Sequence, residues 1–145
     1  MLVCTLGDLL LDVIVRLDSP LAPGDDATVQ TALTPGGQAA NVAAWAVALG
    51  ADARLVAKSG NDDSGDLVRR ELRGHGVEVC GPRGDRTGIV VSLVQPGGDR
   101  TMASDRGASP ELRPGELDEK FTVWNARLEQ GNGVLPELEN SPSSF

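Results

Sequence analysis

An α/β fold is predicted for this 145-residue chain from three observations. Apolar stretches of strand length alternate with stretches of helical character in the order strand, helix, strand, helix, strand. That order is the pattern of right-handed βαβ units around a parallel sheet. Segment 39–49 has no proline or glycine, is rich in alanine and is followed by Gly50, where a glycine can close a helix. Segment 88–94 is β-branched and apolar, and Pro96, Gly97, Gly98 and Asp99 turn the chain into a second extended stretch at 100–103. This is a hairpin, and it stands outside the parallel sheet.

The remaining elements follow in chain order. Residues 1–6 are mostly apolar and predict a buried first strand, while 13–17 predict a second extended piece after Gly7 and Asp8, with Asp12 lying between the two. Pro20, Pro23, Gly24, Asp25 and Asp26 make a turn-rich connection to a short strand at 27–33, which Pro35, Gly36 and Gly37 are expected to stop. The helix at 39–49 carries Val42, Trp45, Val47 and Leu49 among its alanines, so it is apolar nearly all round and is expected to be buried. A strand at 53–57 comes next. Asn61, Asp62, Asp63 and Ser64 offer side-chain oxygens to cap a helix at 65–73, which Gly74 closes and which turns Leu67, Val68 and Leu72 to the core. Residues 77–80 form the next strand.

Composition narrows the function. A hydrophobic content of 40% suits a soluble domain with a real core. The formal net charge of −8 sets up a field that repels nucleic acid and anionic membranes, which leaves small molecules as the expected ligands. No apolar run reaches the roughly 20 residues that span a bilayer, and the first residues lack the basic flank and cleavage site of a secretory leader. A cytoplasmic protein with reduced thiols is therefore expected. Cys4 and Cys80 lie in apolar strand-like runs and are read as small buried hydrophobes, neither a disulfide nor metal ligands. His75, between Gly74 and Gly76, is read as a residue of a solvated turn, and no metal site is assigned.

The most informative stretch is Pro35, Gly36, Gly37, Gln38, Ala39, Ala40, Asn41, Val42, Ala43. Two glycines at the mouth of a helix let backbone approach a ligand closely, and the first helical turn leaves N–H groups free to donate. Asn41 lies one helical turn beyond Gly37 and offers both a donor and an acceptor to a hydroxyl. The competing reading is a plain strand-to-helix turn ahead of an alanine-rich helix. Neither the dinucleotide-binding nor the P-loop glycine pattern occurs in the chain.

Gly36, Gly37, Ala39, Asn41 and Ala43, then Gly50 after six residues and Gly60 after nine more, together resemble the first signature of the ribokinase-like (PfkB) carbohydrate kinases. The resemblance implies a ribokinase-like three-layer α/β/α sandwich, of which this is the N-terminal portion, with a small β-sheet lid over the sugar. Residues 13–33 and the 88–103 hairpin are placed in that lid. It implies an ATP-dependent kinase that phosphorylates a sugar hydroxyl, with a sugar or nucleoside as ligand and ATP and Mg2+ as cofactors of a complete member. Asp12 aligns with a family aspartate that accepts from sugar hydroxyls, whereas Asp8 could be a turn residue only. Gly36, Gly37, Gln38 and Asn41 align with the rest of the acceptor site. Gln38 stands where ribose-specific members carry lysine, and Leu10 where some relatives carry a polar contact. Arg106, just after the lid hairpin, is the candidate for a carboxylate or phosphate on the acceptor, with an exposed surface arginine as the alternative.

The family's catalytic base comes from a later G-A-G-D-type motif that this sequence does not contain, so no catalytic residue is assigned. Residues 1–118 are read as the N-terminal part of the kinase domain, lid included, and 119–145 as a divergent tail. Three of the four aromatic residues, Phe121, Trp124 and Phe145, fall in that tail. A frameshift, a misplaced gene end or a cloning junction would produce it, as would an ordinary divergent C-terminus. The expectation is a substrate-binding half that is inactive by itself. The alternative is a non-catalytic sugar-binding or dimerising remnant, with lid strands that pair into a homodimer.

Overall fold

The computed structural model describes residues 1–117. It divides the chain into two units, Met1–Leu112 and Arg113–Phe145. The first holds nine strands and two helices: β1 (Leu2–Leu6), β2 (Leu10–Leu17), β3 (Val29–Gly36), α1 (Gln38–Ala48), β4 (Asp52–Val56), β5 (Ser59–Gly60), α2 (Asp63–Gly74), β6 (Val77–Cys80), β7 (Arg83–Gly84), β8 (Thr87–Val94) and β9 (Arg100–Gly107). A short 3-10 turn, Ser109–Glu111, follows β9. The described part of the second unit carries another, Pro114–Glu116, where the Arg113 amide donates to Glu116 Oε2 at 2.8 Å. The tail at 119–145 lies outside the described residues.

Two main sheets form. β1, β4 and β6 lie in that order, all parallel, as the alternating strand and helix pattern predicts. Ala53, Leu55, Val77 and Val79 point from one face of this sheet into a core with Ala39, Ala40 and Ala43 of α1 and Val68 and Leu72 of α2. Both helices cover the same face because both connections advance in the same direction across the sheet with the same hand. Within the described residues, then, there is one helical layer and the sheet, the N-terminal portion of the sandwich.

The second sheet, in the order β3, β2, β8, β9, corresponds to the predicted lid. β2 pairs antiparallel with β3 and parallel with β8, and β8 pairs antiparallel with β9. A third, two-residue pairing joins β5 to β7.

Several elements differ from expectation. Asp12 lies inside β2, opposite Thr34 and Val90, instead of between two strands. β3 runs through Pro35 to Gly36 because it is an edge strand, where a proline costs no ladder hydrogen bond. β1 has a neighbouring strand on one side only among the described residues, and Leu2 and Leu6 are exposed rather than buried. The helix α1 buries only its small side: Val42, Trp45 (69% exposed) and Leu49 (82% exposed) face outward. β9 continues past Ala103 to Gly107 through polar, exposed residues held by the pairing with β8 and by side-chain bonds of Asp105 with Arg86 and of Arg106 with Asp8. Cys4 and Cys80 are half-buried and form no disulfide, and burial pushes the Cys4 thiol up, against the nearby Arg54 charge. His75 is the C-cap residue of α2 and is exposed, in keeping with the solvated turn.

Candidate acceptor site

The site forms where the loop after β1, the middle of β2, the end of β3 and the start of α1 converge. Paired residues on neighbouring strands share a face, so Asp12, Thr34 of β3, Val90 of β8 and Ser104 of β9 form one row across the lid sheet. One step along that face, Gly36 ends β3. A Cβ on Gly36 would overlap the Asp12 carboxylate, so the absence of a side chain there is what admits Asp12. Gly37, at φ 102°, is required twice over: its backbone is left-handed, and a Cβ would run into the Asp8 carbonyl.

Gly37 is the N-cap of α1, and no side chain caps the helix. The first-turn N–H groups are thus donors without a side-chain acceptor, on a helix that starts two residues after the glycine packed on the Asp12 carboxylate. Gln38 and Asn41 lie in that turn with exposed side chains, and the Asn41 amide closes the turn onto the Gly37 carbonyl at 3.0 Å. Burial raises the pKa of Asp12, opposed by the Arg100 charge.

Arg106 comes to the same end of the lid and reaches back across 98 residues of sequence to Asp8. Its Nη2 donates to Asp8 Oδ1 at 2.9 Å and to Oδ2 at 2.8 Å, and Ser109 Oγ donates to Oδ1 at 2.8 Å. Asp8 is therefore more than a turn residue: it ties the end of β9 to the loop that backs Gly37. Sequence reasoning missed both this pairing and Ser109, since nothing local marks residues so distant as neighbours. All of the predicted residues except Arg106 gather around Gly36 and Gly37, and Arg106 joins them through Asp8.

A part-buried polar network joins the start of β8 in the lid to the start of α2 in the body. Asp62 caps α2 by accepting from the Gly65 amide at 2.8 Å, and it also accepts from the Thr87 amide at 2.7 Å and from the Thr87 hydroxyl, at the first residue of β8. The Thr87 hydroxyl accepts from the Gly60 amide at 3.0 Å. Burial raises the Asp62 pKa, but the three hydrogen bonds and Arg83 outweigh it and hold the carboxyl below its usual range. Among the described residues, no group of three or more His, Cys, Asp or Glu side chains is arranged to hold a metal ion. None of the helices there is long and apolar enough to cross a membrane.

Residues 1–137 match the family described as pfkB family carbohydrate kinase. This chain belongs to that family. Similar proteins include the ATP-dependent ribose-1-phosphate kinase of Halopiger xanaduensis, 34% identical over 122 residues that cover 81% of this chain and 41% of that protein. The ribokinase of Bacillus subtilis is 28% identical over 115 residues, covering 77% of this chain and 39% of that one. Among solved structures, ribokinase from Giardia lamblia superposes with a TM-score of 0.72 at 22% identity, over 83% of this chain and 38% of the other, and so shares the fold. The pfkB chain described here spans about two-fifths of the length of the curated relatives it matches.

Proposed function

We propose that this chain is the acceptor-binding part of an ATP-dependent sugar kinase, holding a sugar or nucleoside while one hydroxyl takes the γ-phosphoryl group of ATP. The observation that carries this reading is the packing of Asp12 against Gly36 beside the uncapped first turn of α1. A carboxylate that accepts and amides that donate then meet at one point, which suits a ligand with neighbouring hydroxyls. Asp12 accepts from two hydroxyls, Gly36 and Gly37 let the ligand approach the backbone, and Gln38 and Asn41 add amide contacts. Arg106 supplies guanidinium donors from the lid, oriented by Asp8. All of its hydrogen bonds to Asp8 leave from Nη2, so Nε and Nη1 are the groups to face an anionic substituent. The Halopiger xanaduensis relative, by its name, acts on a sugar that carries a phosphate, and such a substituent fits this role.

ATP and Mg2+ serve the complete kinase, which works in the cytoplasm. The contribution of this chain is to bind and orient the acceptor, not to supply the base. The lid pairs with a second copy through its opposite face, where Leu33 and Ile89 are exposed. Thermal-shift titration with D-ribose, D-fructose, adenosine and ribose 1-phosphate tests the reading: at least one of them raises the melting temperature, and Asp12→Asn removes the rise. Phosphate transfer from ATP that stays with the 145-residue chain through purification would sink the claim that it is only the acceptor half.

A second reading, a sugar-binding or dimerising remnant with no part in phosphotransfer, takes its support from Leu33 and Ile89, exposed on the lid. Here the sugar binds identically with and without the remainder of a kinase, and adding that remainder restores no transfer.

A further inference from the structure

The lid face that carries Asp12 is charged at both ends. Asp12, Ile14 and Arg16 alternate onto that face along β2, and each heads a row across the sheet. Arg16 pairs in register with Gln30 of β3 and with Val94 of β8, and Val94 pairs with Arg100 of β9, so Arg16 and Arg100 share the outer row. The row between, made of Ile14, Ala32, Ser92 and Met102, carries no charge. Asp12 and the two guanidinium groups are thus the ends of a neutral strip that runs about 13 Å along β2.

Both arginines are exposed. Other arginines of the described residues are engaged: Arg54, Arg83, Arg86 and Arg106 each hold a carboxylate, and Arg69 and Arg73 hold backbone carbonyls. Among the described residues, neither Arg16 nor Arg100 has a side-chain hydrogen bond or ion pair. In a chain of net charge −8, with acidic side chains in surplus, two guanidinium groups left unneutralised in one row make a local patch that attracts anions. The Arg100 charge is felt at Asp12, where it opposes the effect of burial, so the two ends of the strip share one electrostatic environment.

We propose that this outer row is an anion subsite of the acceptor site, so that the chain takes a sugar monophosphate with its hydroxyls at Asp12 and its phosphoryl group between Arg16 and Arg100. The inference rests on the reading of this chain as the acceptor-binding part, and it names the class of acceptor. A planar guanidinium fork offers paired donors to two phosphate oxygens, and two such forks in one row match a dianion. A free sugar leaves both arginines without a counterion, whereas a sugar monophosphate satisfies the charge at each end of the strip. Arg106, held by Asp8, serves the inner end of the site beside Gly37, and the outer row serves the opposite end of the ligand.

Isothermal titration of the 145-residue chain at low ionic strength compares D-ribose with D-ribose 5-phosphate and D-fructose with D-fructose 6-phosphate, with inorganic phosphate alongside. At least one phosphorylated sugar is expected to bind about tenfold or more tightly than its parent sugar and than inorganic phosphate, and the preference shrinks as salt is added. Arg16→Gln with Arg100→Gln reduces the preference to about twofold or less while the unphosphorylated sugar still binds, and Arg16→Lys with Arg100→Lys retains part of it. Arg70→Gln, at an exposed arginine of α2, leaves it whole. Equal affinity for each sugar and its phosphate overturns the inference, as does a preference that survives the double glutamine variant or inorganic phosphate that binds as tightly as the sugar phosphates. In those cases sugar binding that Asp12→Asn abolishes leaves the acceptor reading standing, whereas binding of none of the four sugars overturns both.

Discussion

The carboxylate of Asp12 occupies the space that a Cβ on Gly36 would fill. The two residues lie on adjacent strands of the lid, and each defines what the other position tolerates. Gly36→Ala is expected to destabilise the chain by about 1–3 kcal/mol, the usual cost of forcing extra volume into a packed position. Asp12→Ala in the same molecule removes the overlap, so the double variant regains most of that stability while binding no acceptor. Urea denaturation of the two single variants and the double variant checks the coupling; additive losses would show that the two side-chain positions do not meet.

The environment of Asp12 also sets a pH dependence. Burial raises its pKa in the folded chain, so the folded state favours the protonated acid relative to the unfolded one. The stability associated with that preference is full below the ordinary value of 3.8 and is lost as pH rises through the higher folded value. Asp12→Asn should therefore be more stable than the parent at pH 7, with the difference closing as the solution is acidified toward 3.8. Acceptor binding runs the other way: it needs the ionised carboxylate, so affinity falls on acidification in the parent. Melting curves and titrations across pH 3.5 to about 7 read both trends.

Asp62 gives the opposite sign. Despite burial, its hydrogen bonds from Thr87 and Gly65 lower its pKa, so the stability it contributes is present above the ordinary value of 3.8 and lost as pH falls below it. Asp62→Ala removes a helix cap and orphans the buried Thr87 amide, with an expected cost of about 2 kcal/mol at pH 7. Asp62→Asn keeps an oxygen for one amide and should fall between. Guanidinium denaturation at pH 7 and pH 3 measures the pH-dependent share.

How far these features are legible in the sequence depends on how local their causes are. Gly36, Gly37 and Asn41 are readable because a strand-to-helix turn and its donors are fixed within a few residues. The cap at Asp62 is readable for the same reason. The partnership of Asp8 with Arg106 is not, because 98 residues separate them and Asp8 has the local setting of any turn aspartate. The outer half of β9 is hidden because Ser104, Asp105 and Arg106 show no apolar alternation and are held extended by partners distant in sequence, β8, Arg86 and Asp8. In α1 the pattern misleads: an all-apolar helix implies burial, yet alanines with the partly buried Val47 satisfy the close contact with the sheet, and Val42, Trp45 and Leu49 stay exposed.

Arg69 has a role that its sequence position does not announce. It is 4% exposed. Its Nε donates to Ser59 Oγ at 2.8 Å, and its Nη2 donates to the carbonyls of Ala57, Gly81 and Pro82 at 3.1 to 3.2 Å. Burial and the neighbouring Arg83 and Arg73 push its pKa down to about 10. It gathers the chain ends beyond β4 and β6 that support the lid. Arg69→Met leaves those acceptors unpaired and is expected to cost on the order of 3 kcal/mol, and Arg69→Lys recovers only part of it because a single ammonium cannot span all four acceptors. Chemical denaturation of both variants tests this, and a loss below about 1 kcal/mol for the methionine variant would contradict it.

The central claim, that Asp12 and the Gly36 and Gly37 cradle hold a hydroxylated acceptor, is tested most directly by isothermal titration of the 145-residue chain with D-ribose, D-fructose, adenosine and ribose 1-phosphate, alongside Asp12→Asn. The account predicts saturable binding of at least one of the four by the parent chain and its loss in the variant. Binding that survives Asp12→Asn unchanged, or no binding of any of the four by a folded chain, would contradict it.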